Sequence, residues 1–218
     1  MLTLVVARHA ETTLNAEQRF QGWGDAPLTR TGKEQARVLG ERLAPIIGRG
    51  GVRCFSSDLG RARATARIAL PDLAFTTDVR LREMDFGAYA GLTHDECRER
   101  FGPAYRAWIQ DCTISDVPDG ETFAAVRARV VAWLDDQPRD GVTVVVTHGG
   151  VAFILLSHLL DIPFAAARRA GLALGDAICF TVPAAGPVPV WLSDEALGVG
   201  RERAHERLAA DRVRELRP

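Results

Sequence analysis

The chain of 218 residues carries almost no excess of charge: 27 Lys and Arg against 28 Asp and Glu leave −1 at pH 7. No strong global field therefore favours nucleic acid or an anionic membrane, and any anion site must be local. Lysine is nearly missing, with Lys33 alone among the basic residues, which reflects genomic base composition rather than function. Only four cysteines occur, Cys54, Cys97, Cys112 and Cys179, and none forms a C-x-x-C pair. That excludes a disulfide framework and a zinc knuckle. Cys54 and Cys179 lie in apolar runs and read as buried thiols. No apolar run approaches the length of a membrane span, and no internal repeat or low-complexity linker divides the chain. No basic segment with a long apolar stretch and a cleavage site precedes the first strand. No secretory leader is expected, and a reducing cytoplasm is the expected compartment. What is present is an ordinary globular balance, 47% hydrophobic and 25% charged residues, enough for one good-sized α/β domain or two small ones.

Three apolar, β-branched runs end in chemically active residues. Leu2-Thr3-Leu4-Val5-Val6-Ala7 leads directly into Arg8-His9-Ala10-Glu11-Thr12. Val142-Thr143-Val144-Val145-Val146-Thr147 leads into His148-Gly149-Gly150. Val52-Arg53-Cys54-Phe55 leads into Ser56-Ser57-Asp58, with Arg61 and Arg63 close behind. In an open parallel sheet, ligands bind outside the carboxyl ends of the strands. Two histidines, several arginines and hydroxyls at such ends suit an oxyanion, above all phosphate.

Between these runs the pattern predicts a loop to about residue 30 and a helix over 31–47, capped by Thr29 or Thr31, with Ala36, Leu39, Leu43 and Ile47 as its apolar stripe. A helix over 59–69 stops before Pro71. Phe75-Thr76-Thr77 reads as a short strand and 80–92 as a loop. Residues 93–111 read as helix interrupted near Gly102-Pro103, and 121–135 and 150–160 as helices. Strands over 177–182 and 188–192 form an antiparallel or edge pair. Residues 1–200 are expected to form one domain, with 201–218 a charged terminal helix or tail. The β-α-β-α order predicts a doubly wound, mostly parallel sheet flanked by helices, with a helical excursion at about 80–120. The long loops 8–30 and 80–92 are where substrate contacts are expected.

Arg8-His9-Ala10-Glu11-Thr12 resembles the R-H-G-E-T signature of the histidine phosphatase superfamily, the phosphoglycerate mutase-like fold. Asn15, Gln21-Gly22, Asp25, and Pro27-Leu28-Thr29 with Gly32 follow in that family's order. So do Ser56-Ser57-Asp58-Leu59-Gly60-Arg61-Ala62, Leu81-Arg82-Glu83 through Gly87 and Gly91, Asp119-Gly120-Glu121-Thr122, and Thr147-His148-Gly149-Gly150. The blocks span roughly residues 2 to 152, which one short motif could not do. The resemblance implies that His9 is a nucleophile forming a phosphohistidine, with Arg8, Arg61 and His148 holding the phosphoryl oxygens. It implies that Glu83 protonates the leaving alkoxide and then serves as base for water, work that needs a raised pKa. Asn15, Gln21, Gly22, Thr122 and Gly149 are expected as secondary substrate or phosphate contacts, and Ser57 as a hydrogen-bonding neighbour.

The chain departs from the family pattern in three places. Ala10 replaces the common glycine after the histidine and sits poorly with a positive φ. Tyr89-Ala90-Gly91 stands where many phosphatase-type members carry W-E-G, and Ala152-Phe153 where an arginine is frequent. Trp23, Tyr105 and Trp108 are assigned to packing. His94 and Cys97, three residues apart with no further partners, are not read as metal ligands. The leading expectation is a phosphomonoesterase acting on a small phosphorylated metabolite, as monomer or homodimer, with no metal or cofactor, no nucleic acid and no membrane. A phosphoglycerate mutase is the second reading, and a catalytically weak phosphate-binding protein on the same fold the third. In the resembled mutases the loop after the L-x-E glutamate is basic; here Met84-Asp85-Phe86-Gly87-Ala88-Tyr89-Ala90 offers no cation.

Overall fold

A computed structural model describes residues 2–47, 51–182 and 188–191; the expected terminal helix at 201–218 lies outside the described residues. One sheet of six strands organises the molecule, in the order β3-β2-β4-β1-β5-β6. The strands are β1 (Leu2–Arg8), β2 (Val52–Ser57), β3 (Thr76–Asp78), β4 (Gly141–Thr147), β5 (Ala177–Val182) and β6 (Val188–Trp191). β3, β2, β4 and β1 run parallel, while β5 pairs antiparallel with β1 and β6 with β5. The apolar runs are strands because both faces are covered, which is what continuous β-branched sequence allows. Their alternation assigns the faces. Leu2, Leu4 and Val6 join one core cluster, and Val5 and Ala7 the other. Arg8 therefore continues the Leu2–Leu4–Val6 face.

The helices are α1 (Thr13–Ala16), α2 (Arg30–Ile47), α3 (Gly60–Ala69), α4 (His94–Gln110), α5 (Phe123–Asp135), α6 (Gly149–Leu160) and α7 (Phe164–Ala170). Leu39 and Leu43 of α2 and Ala62, Ala66 and Ala69 of α3 pack on the Val5 face. α4 to α7 build the opposite core around Trp108, Val130, Trp133 and Leu155. Thr29 is the residue that caps α2, its Oγ1 accepting from Gly32 N at 2.9 Å. α4 breaks where expected: Gly102 is non-helical, at φ 47°, just before Pro103. α1 and α7 fall in stretches the sequence pattern leaves as loop or unassigned. α1 is a four-residue turn closed by a Thr12–Asn15 capping box. α7 is an alanine-rich turn opened by Pro163. No single helix among the described residues is long and apolar enough to cross a membrane.

Loop 8–30 is fastened to α2 at Glu11. Its backbone N donates to Gln35 Oε1 at 2.8 Å, and its side chain accepts from Thr29 Oγ1 at 2.6 Å. Gly32 permits this approach, since a Cβ there would lie 2.0 Å from Glu11 O. Gly32→Ala adds helix propensity worth about 1 kcal/mol. Overpacking against rigid backbone costs about 1–3 kcal/mol and outweighs it. The variant is expected to melt several degrees below the parent in calorimetry; an unchanged or raised midpoint would contradict this packing.

Candidate active site

The register of β1 on β4 brings the two histidines together. Arg8 stands opposite Thr147, so the next residues, His9 and His148, emerge side by side from adjacent parallel strands. Their rings lie 5.2 Å apart, edge to face, and the two residues are 4% and 0% exposed. β2 lies on the other side of β4 and carries Ser57, whose Oγ shares a 2.8 Å hydrogen bond with His148 Nε2. His148 Nδ1 is buried with no partner among the described groups.

His9 Nδ1–H donates to Ala10 O at 2.8 Å. That bond fixes the tautomer and leaves a lone pair on Nε2, the acceptor nitrogen of the ring. Arg61 Nε–H approaches this lone pair at 3.3 Å. Ala10 takes no positive φ and is fully buried, its N–H donating to Thr65 Oγ1, so a methyl in place of the usual glycine is accommodated. Burial, reinforced by the positive charge of Arg61, holds both imidazoles well below their ordinary value of 6.5. At neutral pH both rings are uncharged, as an imidazole nucleophile must be.

Arg61 sits in the first turn of α3 and is only 1% exposed. Leu59 caps this helix without a side-chain hydrogen bond. Asp25 does that work from loop 8–30, accepting from Gly60 N at 2.8 Å and Arg61 N at 3.2 Å. The guanidinium is then clamped by Gly24 O and Gly22 O, both at 2.7 Å. Gly22 has φ +53°, and a Cβ there would meet Phe86 N at 2.7 Å. Arg8 Nη1 donates to Leu172 O at 2.7 Å, while its Nε is buried without a partner. Gly149 lets this guanidinium lie close, a Cβ there being 3.3 Å from Nε.

Glu83 follows the 3-10 turn Val79–Leu81. Its Oε1 accepts from Met84 N at 3.0 Å and its Oε2 from Gly150 N, at the start of α6, at 3.2 Å. The competing carboxylates are engaged elsewhere: Glu11 with Thr29, Asp85 with Gly87 N, Glu121 with Arg129. Glu83 faces a cavity of about 310 Å³ that Arg8, His9 and Arg61 also line. Asn15, Gln21, Gly22 and Gly149 line it too. Asn15 Oδ1 is held by Thr12, and Gln21 Oε1 is buried and unpaired. Thr122 is not brought to this cavity. It is exposed and caps α5, accepting from Ala125 N at 3.2 Å, while Phe123 and Val126 of that helix form the wall. Trp108, assigned to packing from sequence, does pack but also lines the cavity. Tyr105 is buried, and His94, bonded to Tyr105, lies at the cavity wall. Ala152 is fully buried and supplies no cation. Among the described residues no cluster of three or more His, Cys, Asp or Glu could hold a metal ion.

The residue that motif reasoning missed is Arg129. It donates to the carbonyls of Arg80, Arg82 and Glu83 at 2.8, 2.6 and 2.9 Å and to Glu121, fixing the backbone that presents Glu83. Its signal was a cation on the Val126, Val130, Trp133 stripe of α5. Trp23, half-exposed, has its indole N–H on Glu83 O at 2.9 Å and its ring under Arg82 at 4.9 Å.

A neutral imidazole, two largely buried guanidiniums and one carboxylate line a cavity at the carboxyl end of a sheet, and the second imidazole, His148, lies against His9 behind that lining; these are groups suited to phosphoryl transfer. Residues 4–195 match the family described as histidine phosphatase superfamily (branch 1), and the chain belongs to that family. It is 36% identical over 174 residues to a protein of Citrobacter koseri described as probable phosphoglycerate mutase GpmB, covering 78% of this chain and 80% of that one. The alpha-ribazole phosphatase of Shigella flexneri superposes with a TM-score of 0.80 at 28% identity, over 90% of this chain and 98% of that one. A mycobacterial glucosyl-3-phosphoglycerate phosphatase in complex with VO3 superposes with a TM-score of 0.70 at 31% identity, over 82% and 92%. The fold and the enzyme type, phosphatase or mutase, are thereby set.

The neutral histidines have a consequence for stability. Above pH 6.5 they are uncharged in folded and unfolded chains alike and contribute nothing. Below it the unfolded chain takes up protons that the folded pair resists, so stability falls as pH falls. In phosphate-free buffer the melting temperature should drop between pH 6.5 and 5 more steeply for the parent than for a His9→Asn/His148→Gln double variant. Parallel slopes would show that the rings protonate freely when folded.

Proposed function

We propose that this protein is a metal-independent phosphomonoesterase that hydrolyses a small phosphorylated metabolite through a phosphohistidine. The observation that carries this is the His9 Nε2 lone pair, oriented by the Nδ1–Ala10 hydrogen bond and flanked by Arg8, Arg61 and His148. Nε2 attacks phosphorus, and the N–P bond forms as the bond to the leaving oxygen breaks. Arg8 Nε, which has no partner, and the Arg61 guanidinium, turned from His9 Nε2 toward the substrate, meet charge on the equatorial oxygens, and His148 contributes from its buried position between Ser57 and His9. Glu83 acts as the acid and gives a proton to the leaving alkoxide. As carboxylate it then takes a proton from water, which attacks phosphorus and breaks the N–P bond. Inorganic phosphate leaves, and Glu83 and His9 return to their starting states. The positive charge is supplied by side chains, and the reading assigns no metal or cofactor. With a net charge of −1 it assigns a small-molecule substrate in the cytoplasm rather than nucleic acid or a membrane surface.

The names of the curated relatives favour a mutase as second reading. The wall after Glu83 supports hydrolysis instead: Met84 and Phe86 face the cavity, and that segment contributes no cation for a second acidic group.

Rapid quench with labelled substrate should trap an acid-labile, base-stable adduct in the parent and none in folded His9→Ala, which should have no turnover. The adduct should pass its phosphate to water faster than it isomerises 3-phosphoglycerate. Full activity in His9→Ala ends this reading; faster isomerisation makes the mutase reading correct. Glu83→Gln should slow hydrolysis of alkyl phosphates by about 10²–10⁴, yet slow p-nitrophenyl phosphate far less, because nitrophenolate leaves without a proton. Equal losses would move the acid role to another group.

A further inference from the structure

Resting on the phosphomonoesterase reading, we propose that the group esterified to phosphate is an aromatic or heteroaromatic body, not a carboxylated or polyhydroxylated one. Away from the Arg8–His9–Arg61 end, the cavity wall is built from six aromatic side chains: Phe20, Phe86, Trp108, Phe123, Phe153 and Phe164. They come from loop 8–30, the loop after Glu83, and helices α4, α5, α6 and α7. Phe20, Phe86 and Trp108 form one edge-to-face group, with centroids 5.3, 5.6 and 5.7 Å apart. Phe123 and Phe164 form a second, at 4.7 Å. Convergence of six separate segments on one apolar chamber, continuous with the phosphate end, matches an apolar ring that stacks on or edges into these faces.

The polar lining argues the same way. A polyol or phosphoglycerate needs partners for every hydroxyl and for the carboxylate, and a buried polar group without one is costly. Arg19 is already paired with Glu17 and Glu96 and donates to Gly91 O. Asn15 is bound to Thr12 and His94 to Tyr105. Arg168 is exposed and also borders the adjoining outer depression with Asp111 and Thr113, so it stands at the mouth rather than in the chamber. Besides Arg8 Nε at the phosphate end, two lining residues keep buried, unpaired polar atoms, Trp108 Nε1 and Gln21 Oε1. One donor and one acceptor are few for a sugar, but they match the edge of a heteroaromatic ring.

The test is binding of three non-hydrolysable phosphonates to the unmodified protein by calorimetry, which does not depend on turnover. 2-Phenylethylphosphonate should bind at least about tenfold more tightly than ethylphosphonate, as burial of one ring in an apolar chamber implies. 3-Phosphonopropionate, which carries a carboxylate, should bind no more tightly than ethylphosphonate. Phe164→Ala, at a half-buried position, should weaken the phenylethyl ligand about fivefold or more and leave ethylphosphonate unchanged. Equal affinity for the phenylethyl and ethyl ligands, tightest binding of the carboxylated one, or an equal loss of both ligands in Phe164→Ala would overturn the proposal. Failure of all three to bind would overturn it together with the phosphate site. Selective binding of the phenylethyl ligand by a protein that hydrolyses no phosphomonoester would uphold this proposal while removing the phosphomonoesterase reading.

Discussion

A slip of β1 by one residue against β4 would turn Arg8 to the opposite face of the sheet and separate His9 from His148. The observed register, Arg8 opposite Thr147, is held because Leu2, Leu4 and Val6 must enter one core while Val5 and Ala7 enter the other. The apolar alternation of a buried strand thus sets the position of His9, and no interaction within the site has to do so. β2 extends the same logic. Pairing on the far side of β4, it delivers Ser57 to His148 and starts α3 where Arg61 can reach His9.

That placement concentrates cations where water is scarce. Arg61 is almost wholly buried, and desolvation pulls its proton affinity down, as it does for Arg8. The N–H groups are satisfied by neutral carbonyls, Gly22 O and Gly24 O for Arg61 and Leu172 O for Arg8, while the charge of Glu83 acts on both from a distance against the desolvation. A carbonyl satisfies a guanidinium N–H without cancelling its charge, whereas a contacting carboxylate would neutralise the field meant for a phosphoryl group. The neutrality of both imidazoles follows from the same desolvation and the same nearby cations.

Much of this was legible in the chain. The three strand ends, the helix break at Gly102 and the antiparallel edge pair follow from local pattern, and the ordered motif blocks carried Arg8, His9, Arg61 and Glu83 to one cavity, with His148 buried behind it against His9. The remainder depends on contacts between distant segments. Arg129 reads as a misplaced charge on an apolar stripe until its three carbonyl partners, 46 to 49 residues away, are in view. Thr122 belongs to a motif block, yet its hydroxyl is used to cap a helix. Trp108 satisfied a packing assignment and a cavity role at once, because one ring has two sides.

α3 and α6 begin beside Arg61 and Glu83, and each gives leading backbone N–H to a carboxylate of the protein. Asp25 takes Gly60 N and Arg61 N at the start of α3, and Glu83 takes Gly150 N at the start of α6. Helix N-termini are ready-made anion sites, but here the protein's own carboxylates fill them. In the proposed reaction, anion recognition is left to guanidinium and imidazole groups. Backbone amides cannot be removed by point substitution, whereas side-chain donors can be exchanged one at a time. Affinity for the charged part of a ligand is therefore adjustable in single mutational steps, with the helices, and so the fold, left undisturbed.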